Sequence, residues 1–469
     1  MDATPHYAVI GGGWAGCAAA VTLAAAGRRV SLFEAGRTLG GRARRIEVDG
    51  RSLDNGQHIL LGAYRATLKL LKQIGVNADE AMLRLPLQMR YPEIETQDGM
   101  DFLAPRLPAP LHLLLALLRA KGLTREDKLA LARFSSAARW MGWTLNDDCS
   151  VLELLERFDQ TERLTRLMWA PLCVAALNTP PERASAQVFL NVLRDSLGAR
   201  RAASDMLLPR TDLTRLLPQP AADFVGARGG KLYLGQSVAA ISPGSTRQGD
   251  AAARWRLALK NPAHELDTDL EFDAVILATG PETAADLLGE IAFDDANHEA
   301  AIGRQIDAIR ALQYEPITTC YLQYDADTRM AAPFYALLDD PAQAAWGQFV
   351  FDRGQLSGNP ADAGLLAVVV SAAGNAIADG HAALAQGIAA QLARSLQQPA
   401  LNSPQWSRVI SEKRATFSCT PGLQRPDNED LPPGLRLAGD YLAGDYPATL
   451  EGAVLSGIAS AQSLLKQIT

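Results

Sequence analysis

Residues 7–16 read Tyr-Ala-Val-Ile-Gly-Gly-Gly-Trp-Ala-Gly, an apolar strand that runs directly into glycines spaced G-x-G-x-x-G. In that spacing the first glycine permits a tight turn, the second lets the backbone approach a pyrophosphate, and the third allows the next helix to pack closely. The helix N-terminus then presents free N–H groups and partial positive charge to phosphate. The stretch predicts a Rossmann-type dinucleotide-binding unit, with contacts from Gly11, Gly13, Trp14, Ala15 and Gly16.

A second apolar segment, residues 30–34, ends in the acid Glu34. It follows the glycine loop by about 20 residues, where an acid binds ribose hydroxyls. Glu34 therefore favours a dinucleotide with an unphosphorylated ribose, such as FAD or NAD. The alternative is a βαβ unit that binds no ligand, in which Glu34 is a surface residue.

The composition is that of a globular chain large enough for two domains. Of 469 residues, 48% are hydrophobic and 21% charged, and the net charge of −7 disfavours nucleic acid as a partner. The five cysteines include no C-x-x-C pair and the six histidines show no ligand spacing, so we expect no metal and a reducing cytoplasm. We expect no secretion signal, and the longest apolar run, residues 111–118, is too short to cross a bilayer.

Alternation and breaker residues predict several further elements. A strand pair is expected at residues 44–53, one helix at 212–226 and a hairpin at about 254–272. The apolar run at 274–277 is expected to join the sheet of the dinucleotide-binding unit.

Near the C-terminus a further strand ends in an acid. Residues 435–440 read Leu-Arg-Leu-Ala-Gly-Asp, and a helix of small residues is expected from about residue 450. Many α/β proteins end in a strand, a loop and a helix, so this segment indicates a ligand site only in combination with the glycine loop. Together the two segments predict that both ends of the chain hold one dinucleotide.

The Gly-Gly-Arg turn at residues 40–42, shortly after Glu34, resembles that of the FAD-dependent amine oxidase and phytoene desaturase superfamily. The resemblance implies bound FAD, with Gly41 beside the dinucleotide and Arg42 paired with a phosphate. It implies that Asp440 binds the ribityl or phosphate region, and that the following helix points its N-terminus at the flavin. It further implies contacts from Gly56, Gln57, Val238, Gly439, Thr449, Leu450 and Glu451, of which Val238 would meet adenine through its backbone.

Residues 54–64, Asp-Asn-Gly-Gln-His-Ile-Leu-Leu-Gly-Ala-Tyr, resemble a narrower family, as do residues 169–172 and 439–441. These relatives are the bacterial squalene-associated FAD-dependent enzymes, the hydroxysqualene dehydroxylases of hopanoid biosynthesis. The resemblance covers essentially the whole chain. It implies that hydroxysqualene loses its allylic hydroxyl and that hydride from reduced flavin N5 gives squalene. Asp54 and His58 are the candidate acids, although a lone histidine is more often structural.

Residues 104–140 differ in charge from the rest of the chain, with seven cations, two acids and a local balance of +5. A basic, leucine-rich helical stretch suits the surface of an anionic membrane, where a long isoprenoid substrate lies. We therefore expect a cytoplasmic protein attached peripherally to the membrane through this segment. The alternative is a core helix beside a solvated, charged helix.

The sequence predicts an α/β chain in which a Rossmann-type FAD-binding domain is interleaved with an α+β substrate domain. We expect the FAD-binding domain to comprise residues 1–85, 205–285 and 405–469. We expect the substrate domain to comprise residues 86–204 and 286–404, with a helical, partly membrane-facing insert at 104–200.

Three other functions fit parts of this pattern. A carotenoid desaturase acting on a precursor such as phytoene would use the same fold and cofactor with the opposite electron flow. An amine oxidase fits less well, because aromatic content is 6% and no aromatic pair flanking an amine is evident. A lipid-binding protein need not hold FAD, and the retained glycine loop, Glu34, Arg42 and Asp440 argue against it. No second G-x-G-x-x-G is present, so electrons are expected from NADPH bound transiently or from a redox partner.

Overall fold

The computed structural model of the chain describes residues 4–92, 99–246, 253–261, 270–293 and 295–468. The strands in these ranges are β1 (His6–Ile10), β2 (Arg29–Glu34), β3 (Arg45–Val48), β4 (Arg51–Asp54), β5 (Leu60–Leu61), β6 (Met82–Leu85), β7 (Gln88–Arg90), β8 (Asp101–Leu103), β9 (Met206–Pro209), β10 (Lys231–Leu234), β11 (Val238–Thr246), β12 (Ala253–Leu259), β13 (Leu270–Phe272), β14 (Ala274–Leu277), β15 (Tyr314–Gln323), β16 (Phe334–Ala336), β17 (Phe349–Asp352), β18 (Leu365–Ser371), β19 (Trp406–Phe417) and β20 (Leu435–Leu437).

The helices in the same ranges are α1 (Trp14–Ala25), α2 (Arg65–Gln73), α3 (Ala78–Ala81), α4 (Leu111–Arg119), α5 (Arg125–Trp140), α6 (Val151–Arg157), α7 (Glu162–Leu164), α8 (Ala170–Leu177), α9 (Ala186–Ser196), α10 (Leu213–Leu216), α11 (Pro218–Gly226), α12 (Pro281–Gly289), α13 (Ala296–Arg310), α14 (Arg353–Ser357), α15 (His381–Ser395) and α16 (Leu450–Gln467). A π-helical turn, Thr165–Trp169, directly precedes α8.

The glycine loop belongs to a parallel five-stranded sheet with the strand order β10-β2-β1-β14-β20. β14 pairs with β1, so the expectation that residues 274–277 join this sheet is confirmed. β20 pairs with β14 and brings the C-terminal part of the chain to the same sheet. The carboxyl ends of β1, β14 and β20 therefore lie side by side, which is where parallel α/β sheets bind their ligands.

Helices α1 and α16 approach each other closely because their contact is built from small residues. A Cβ atom on Gly457 of α16 would collide with the backbone carbonyl oxygen of Ala15 in α1. In the same way, a Cβ atom on Gly16 would collide with the carbonyl oxygen of Gly11 in the loop. The first and last helices of the chain are thus held at backbone distance in one apolar cluster.

A second five-stranded sheet is antiparallel, with the strand order β16-β17-β18-β15-β19. Helix α15 covers one face through Leu384, Ile388 and Leu392. β19 pairs with β15 from Tyr314↔Phe417 to Gln323↔Trp406. The division expected from the sequence begins an FAD-binding segment at residue 405, just before β19, and this domain boundary stays a prediction.

The helix expected at 212–226 is instead two helices, α10 and α11. Pro218 disfavours helical backbone at the preceding residue, and Leu217 lies at φ −135° and ψ −54°. The expected strand pair at 44–53 forms β3 and β4. The expected hairpin forms β12 and β13, although residues 262–269 between them lie outside the described residues.

The architecture is mixed α/β. Within the described ranges, no helix combines the length and the apolar character that a bilayer crossing requires.

We expect Gly457→Ala to lower the free energy of unfolding by about 1–3 kcal/mol, because the new methyl group must displace the backbone of α1. Gly303→Ala is the matched control, since it also lies inside a helix but has open space around its Cα. Alanine there should stabilise the protein by about 0.5–1 kcal/mol. Chemical unfolding measures both values, and equal stabilisation by the two variants would contradict this packing.

Candidate functional site

The glycine loop has the close-packed geometry that its sequence predicts. Gly11 lies at φ +106°, and a Cβ atom there would collide with the carbonyl oxygen of Ala278 at the end of β14. Gly13 directly precedes α1 and forms an isolated bridge with Gly40. The indole N–H of the buried Trp14 donates to the carbonyl oxygen of Ala43 at 3.1 Å. The Trp14 side chain thus joins the loop to the Gly-Gly-Arg turn, and Ala15 faces α16.

Glu34 stands at the end of β2 and organises the backbone around it. Its carboxylate accepts from the N–H groups of Gly12 and Gly36, both at 2.7 Å. The N–H of Gln236 donates to the carbonyl oxygen of Glu34 at 2.9 Å, and this pairing brings Val238 to the same end of the sheet. The predicted ribose and adenine contacts, Glu34 and Val238, are therefore close together in space.

The Gly-Gly-Arg turn lies directly over the glycine loop. The N–H of Gly40 donates to the carbonyl oxygen of Gly12 at 2.8 Å, and Gly41 adopts φ +60°. The Arg42 guanidinium forms an ion pair with Asp440 and donates to the carbonyl oxygen of Ala415 at 2.7 Å. The sequence resemblance pairs Arg42 with a phosphate, whereas the structure gives it a carboxylate from the other end of the chain.

The C-terminal segment places a helix N-terminus beside this ion pair. The N–H of Gly439 donates to Ser456 Oγ at 2.9 Å, and Thr449 caps α16 by accepting from the N–H of Gly452 at 3.0 Å. The first N–H groups of α16 have no partner within the helix and carry its positive dipole end. Leu450 and Glu451 begin this turn, so it is their backbone that is available to a ligand.

The Glu451 side chain points away from this N-terminus. Its buried carboxylate accepts from the N–H groups of Ala66 and Thr67 at 2.8 and 2.9 Å, and from Thr67 Oγ1 at 2.6 Å. It therefore caps α2 and fixes α16 against it.

Asp54 is a buried carboxylic acid that is 5% exposed. Its Oδ1 accepts from the N–H of Leu213 at 2.8 Å. Burial raises the pKa of Asp54 from 3.8 to about 7, against the opposing effects of the Leu213 hydrogen bond and of Arg353. A substantial fraction of molecules therefore carry a proton on Asp54 at neutral pH.

His58 is a weaker candidate for the acid. Its Nδ1 lies 3.1 Å from the carbonyl oxygen of Gly56, and burial lowers the pKa of His58. The ring is consequently neutral at pH 7, and the bond to Gly56 favours the tautomer with the proton on Nδ1. This geometry supports the structural role of His58 more than a proton-donating one.

Gln57 lies in a side-chain network that the sequence did not reveal. Its Oε1 accepts from Arg353 Nη1 at 3.1 Å, and its Nε2 donates to Tyr321 OH at 2.8 Å. Tyr321 OH in turn donates to the backbone carbonyl oxygen of Asp54 at 2.8 Å. Both ends of the Gln57 amide are thus engaged within the protein, and the network fixes the loop after β4 to the second sheet.

These residues form a path from Glu34 through the glycine loop and the Arg42–Asp440 pair to the loop at Gly56. In the described part of the chain, nine buried side-chain atoms have no hydrogen-bond partner, and five of them lie along this path. A dinucleotide bound here would give these atoms the partners that the protein does not supply, so the residues fit FAD. The five atoms are Gln236 Oε1, Thr279 Oγ1, Tyr314 OH, Thr319 Oγ1 and Tyr441 OH.

The sequence missed these five residues and the Arg353–Tyr321 network. Gln236, Thr279 and Tyr441 lie in three separate loops, and Tyr314 and Thr319 lie on β15. Only the tertiary fold brings Thr319 and Tyr321 to the loop at Gly56. Tyr441 had the clearest signal, because it directly follows the predicted ligand Asp440.

The cysteine thiols are not suited to chemistry at this site, although Cys17 Sγ donates to the carbonyl oxygen of Gly12 at 3.5 Å. All five are buried, and burial raises the pKa of Cys17, Cys320 and Cys419 to about 12. Such thiols are protonated at neutral pH and are poor nucleophiles. In the described ranges, no three histidine, cysteine or acidic side chains are grouped to hold a metal ion.

Comparison with known proteins gives matches over nearly the whole chain. A family model described as flavin containing amine oxidoreductase matches residues 14–465. The chain is 28% identical to a hydroxysqualene dehydroxylase of Rhodopseudomonas palustris, over 99% of both chains. It is 24% identical to a zeta-carotene desaturase of a Synechocystis species, over 98% of this chain and 97% of that relative.

A similar fold is found in a solved structure of cyclohexylamine oxidase from Brevibacterium oxydans. The TM-score is 0.65 at 15% identity, with 99% of this chain and 100% of that chain covered.

We expect Asp54→Asn to remove a pH dependence of stability. Folding raises the pKa of Asp54, so its contribution to stability is complete below about pH 4 and is lost as the pH rises through 7. Asparagine keeps the acceptor for Leu213 without the buried charge. The variant should match the wild type at pH 4 and exceed its free energy of unfolding by about 2–4 kcal/mol at pH 8.

Asp127→Asn is the control, because its effect on stability should depend on pH in the opposite sense. Hydrogen bonds from Thr161 and Thr124 outweigh burial and lower the pKa of Asp127, so its variant should lose stability at pH 8 and approach the wild type as the pH falls. Unfolding curves of the two variants at both pH values test this, and parallel shifts in the two variants would contradict the assignment.

Proposed function

We propose that this chain, which belongs to the family of flavin containing amine oxidoreductases, removes the hydroxyl of hydroxysqualene reductively to give squalene. The family membership confirms the predicted FAD cofactor and redox activity. The observation that carries the finer proposal is the match to a hydroxysqualene dehydroxylase along 99% of both chains. The string at residues 54–64 also supports the proposal, because it contains the loop at Gly56, which meets the second sheet through Gln57 and Tyr321.

The proposed reaction breaks the allylic C–O bond and forms a C–H bond at the same carbon. The hydroxyl leaves as water after it takes up one proton. Bound reduced FAD supplies the hydride that replaces it. The protein must therefore orient the substrate, keep bulk water away and provide the proton.

We propose Asp54 as the group that holds the proton. Its pKa near 7 gives a protonated fraction at neutral pH, whereas burial keeps His58 neutral. The network of Gln57, Tyr321 and Arg353 would act by positioning the loop that follows Asp54.

In this proposal the parallel sheet, α1 and α16 form the FAD-binding domain, interleaved with a substrate domain on the second sheet. The helices between residues 111 and 196 would cover the substrate. Their buried core contains aromatic rings that pack against one another, with Phe134 and Trp169 4.9 Å apart between centroids and Phe189 next to Trp169 at 6.1 Å.

A carotenoid desaturase is the second candidate, and the similarity to a zeta-carotene desaturase favours it. It would transfer electrons from the substrate to the flavin, so the two functions differ in the redox state that reacts. For the dehydroxylase, we propose that NADPH or a redox partner returns electrons to the flavin.

We also propose that the protein docks peripherally on the cytoplasmic face of an anionic membrane through residues 104–140. Five of the eight large hydrophobic side chains that are exposed in the described part of the chain lie there, including Trp140 at 90% exposure. Leu111, Leu114 and Leu118 share one face of α4, and His112 and Ala116 are buried on the other. The exposed cations Arg119, Lys121 and Arg125 lie at the end of α4 and in the segment that follows it, and they form no ion pair with any described acid. Such a surface combines insertion with charge attraction.

We expect the chemically reduced protein to convert hydroxysqualene to squalene under anaerobic conditions, with one flavin reoxidised per squalene formed. Mass analysis measures the squalene, and flavin absorbance measures the reoxidised flavin. The oxidised protein should leave phytoene unchanged. Desaturation of phytoene with flavin reduction, and no squalene from hydroxysqualene, would replace this function by the second candidate.

Two variants test the acid in the same assay. Asp54→Asn should lower the rate by about 100-fold or more and remove the pH dependence near 7, because no group then donates the proton. His58→Gln should retain the pH dependence. The opposite pattern would assign the proton to His58.

We expect reversal of charge at Arg119, Lys121 and Arg125 to glutamate to weaken binding to phosphatidylglycerol-containing vesicles by about 100-fold or more. The control reverses Arg65, Lys69 and Lys72, an exposed cationic set on α2 with the same change in net charge. Vesicle sedimentation measures binding, and flavin content reports folding. Equal losses in both triple variants would show that net charge, not this surface, determines binding.

A further inference from the structure

Two neighbouring threonines in the middle of β15 differ in one respect. Thr318 is 0% exposed and Thr319 is 1% exposed. Thr318 Oγ1 forms a hydrogen bond with Ser411 Oγ on the adjacent strand at 2.9 Å. Thr319 Oγ1 is buried and has no hydrogen-bond partner among the described residues. The fold therefore pairs one hydroxyl and leaves its neighbour unpaired.

The unpaired hydroxyl lies on the face of β15 that meets the loop after β4. Side chains alternate along a strand, so Thr319 and Tyr321 share a face. Tyr321 reaches this loop through its bonds to Asp54 and Gln57. Gly56 lies between these two residues, and a Cβ atom on it would be 3.9 Å from Thr319 Oγ1. The Thr319 hydroxyl thus borders the place where Gly56 leaves room for a ligand.

A buried hydroxyl without a partner is unfavourable unless something else satisfies it. Valine would fill the same space without that cost, so the hydroxyl calls for a partner that the protein does not contain. We infer that Thr319 Oγ1 hydrogen-bonds an uncharged heteroatom of a ligand bound beside Gly56. That atom is a carbonyl oxygen or ring nitrogen of the flavin, or the hydroxyl of the substrate.

If the partner is the substrate hydroxyl, the inference rests on the proposed function, and it has a consequence for turnover. A bond from Thr319 to the substrate hydroxyl would exist before the reaction and disappear when that oxygen leaves as water. The site would then distinguish hydroxysqualene from squalene, because only the former gives the buried threonine its partner.

The test compares Thr319→Val, Thr319→Ser and the control Thr318→Val. In the FAD-free protein, Thr319→Val should unfold at the same temperature as the wild type or higher, since it removes an unpaired polar group. Thr318→Val should unfold at a lower temperature, because it breaks the bond to Ser411. Thr319→Ser keeps the hydroxyl and should bind ligands like the wild type.

Two titrations identify the partner. If the flavin is the partner, Thr319→Val should bind FAD about three- to tenfold more weakly, with a shifted visible spectrum. If the substrate is the partner, FAD binding stays unchanged and the preference for hydroxysqualene over squalene falls by a similar factor. Thr318→Val should alter neither titration.

The inference fails if Thr319→Val leaves both titrations within twofold of the wild type, or if Thr318→Val changes them equally. The FAD titration does not depend on the substrate, so this failure differs from a failure of the reaction assay. A protein that binds FAD through Thr319 yet does not act on hydroxysqualene would contradict the proposed function alone.

Discussion

The contact of Gly457 with Ala15 holds the first and last helices of the chain at backbone distance, and the ligand site depends on it. α1 starts at the glycine loop and α16 starts beside Asp440, so their contact sets the position of one N-terminus relative to the other. Each helix offers its positive dipole end to the same path. The Arg42–Asp440 ion pair joins the two halves again at the centre of that path.

The second sheet and the helix after β17 place polar side chains where the first sheet ends. Tyr321 and Arg353 reach the loop at Gln57 through a continuous chain of hydrogen bonds, all of them buried or partly buried. Tyr321 belongs to the same apolar core cluster as Phe134 and Trp169. Under the proposed function, polar groups within an apolar core suit a reaction at one carbon of a long hydrocarbon. Such an environment offers less to a cationic amine, which requires desolvation of its charge.

The sequence predicted the parts of this fold whose physics is local. The glycine loop, Glu34 and the run at 274–277 are defined by spacing and apolar character within a few residues. The network around Gln57 could not be predicted, because it joins β15 and α14 to a loop far from both in the chain. β19 likewise belongs to the second sheet because it pairs with β15. This pairing is long-range, and the alternation of residue types within β19 does not determine it. The break in the helix at 212–226 did have a local signal in Pro218.

The most direct test of a shared FAD site is hydrogen exchange of the FAD-free protein during a titration with FAD. We predict saturation at one FAD per chain, with the amides of residues 11–16 and of residues 439–452 protected at the same midpoint. Protection confined to the glycine loop, or two separate midpoints, would contradict a single site built from both ends of the chain.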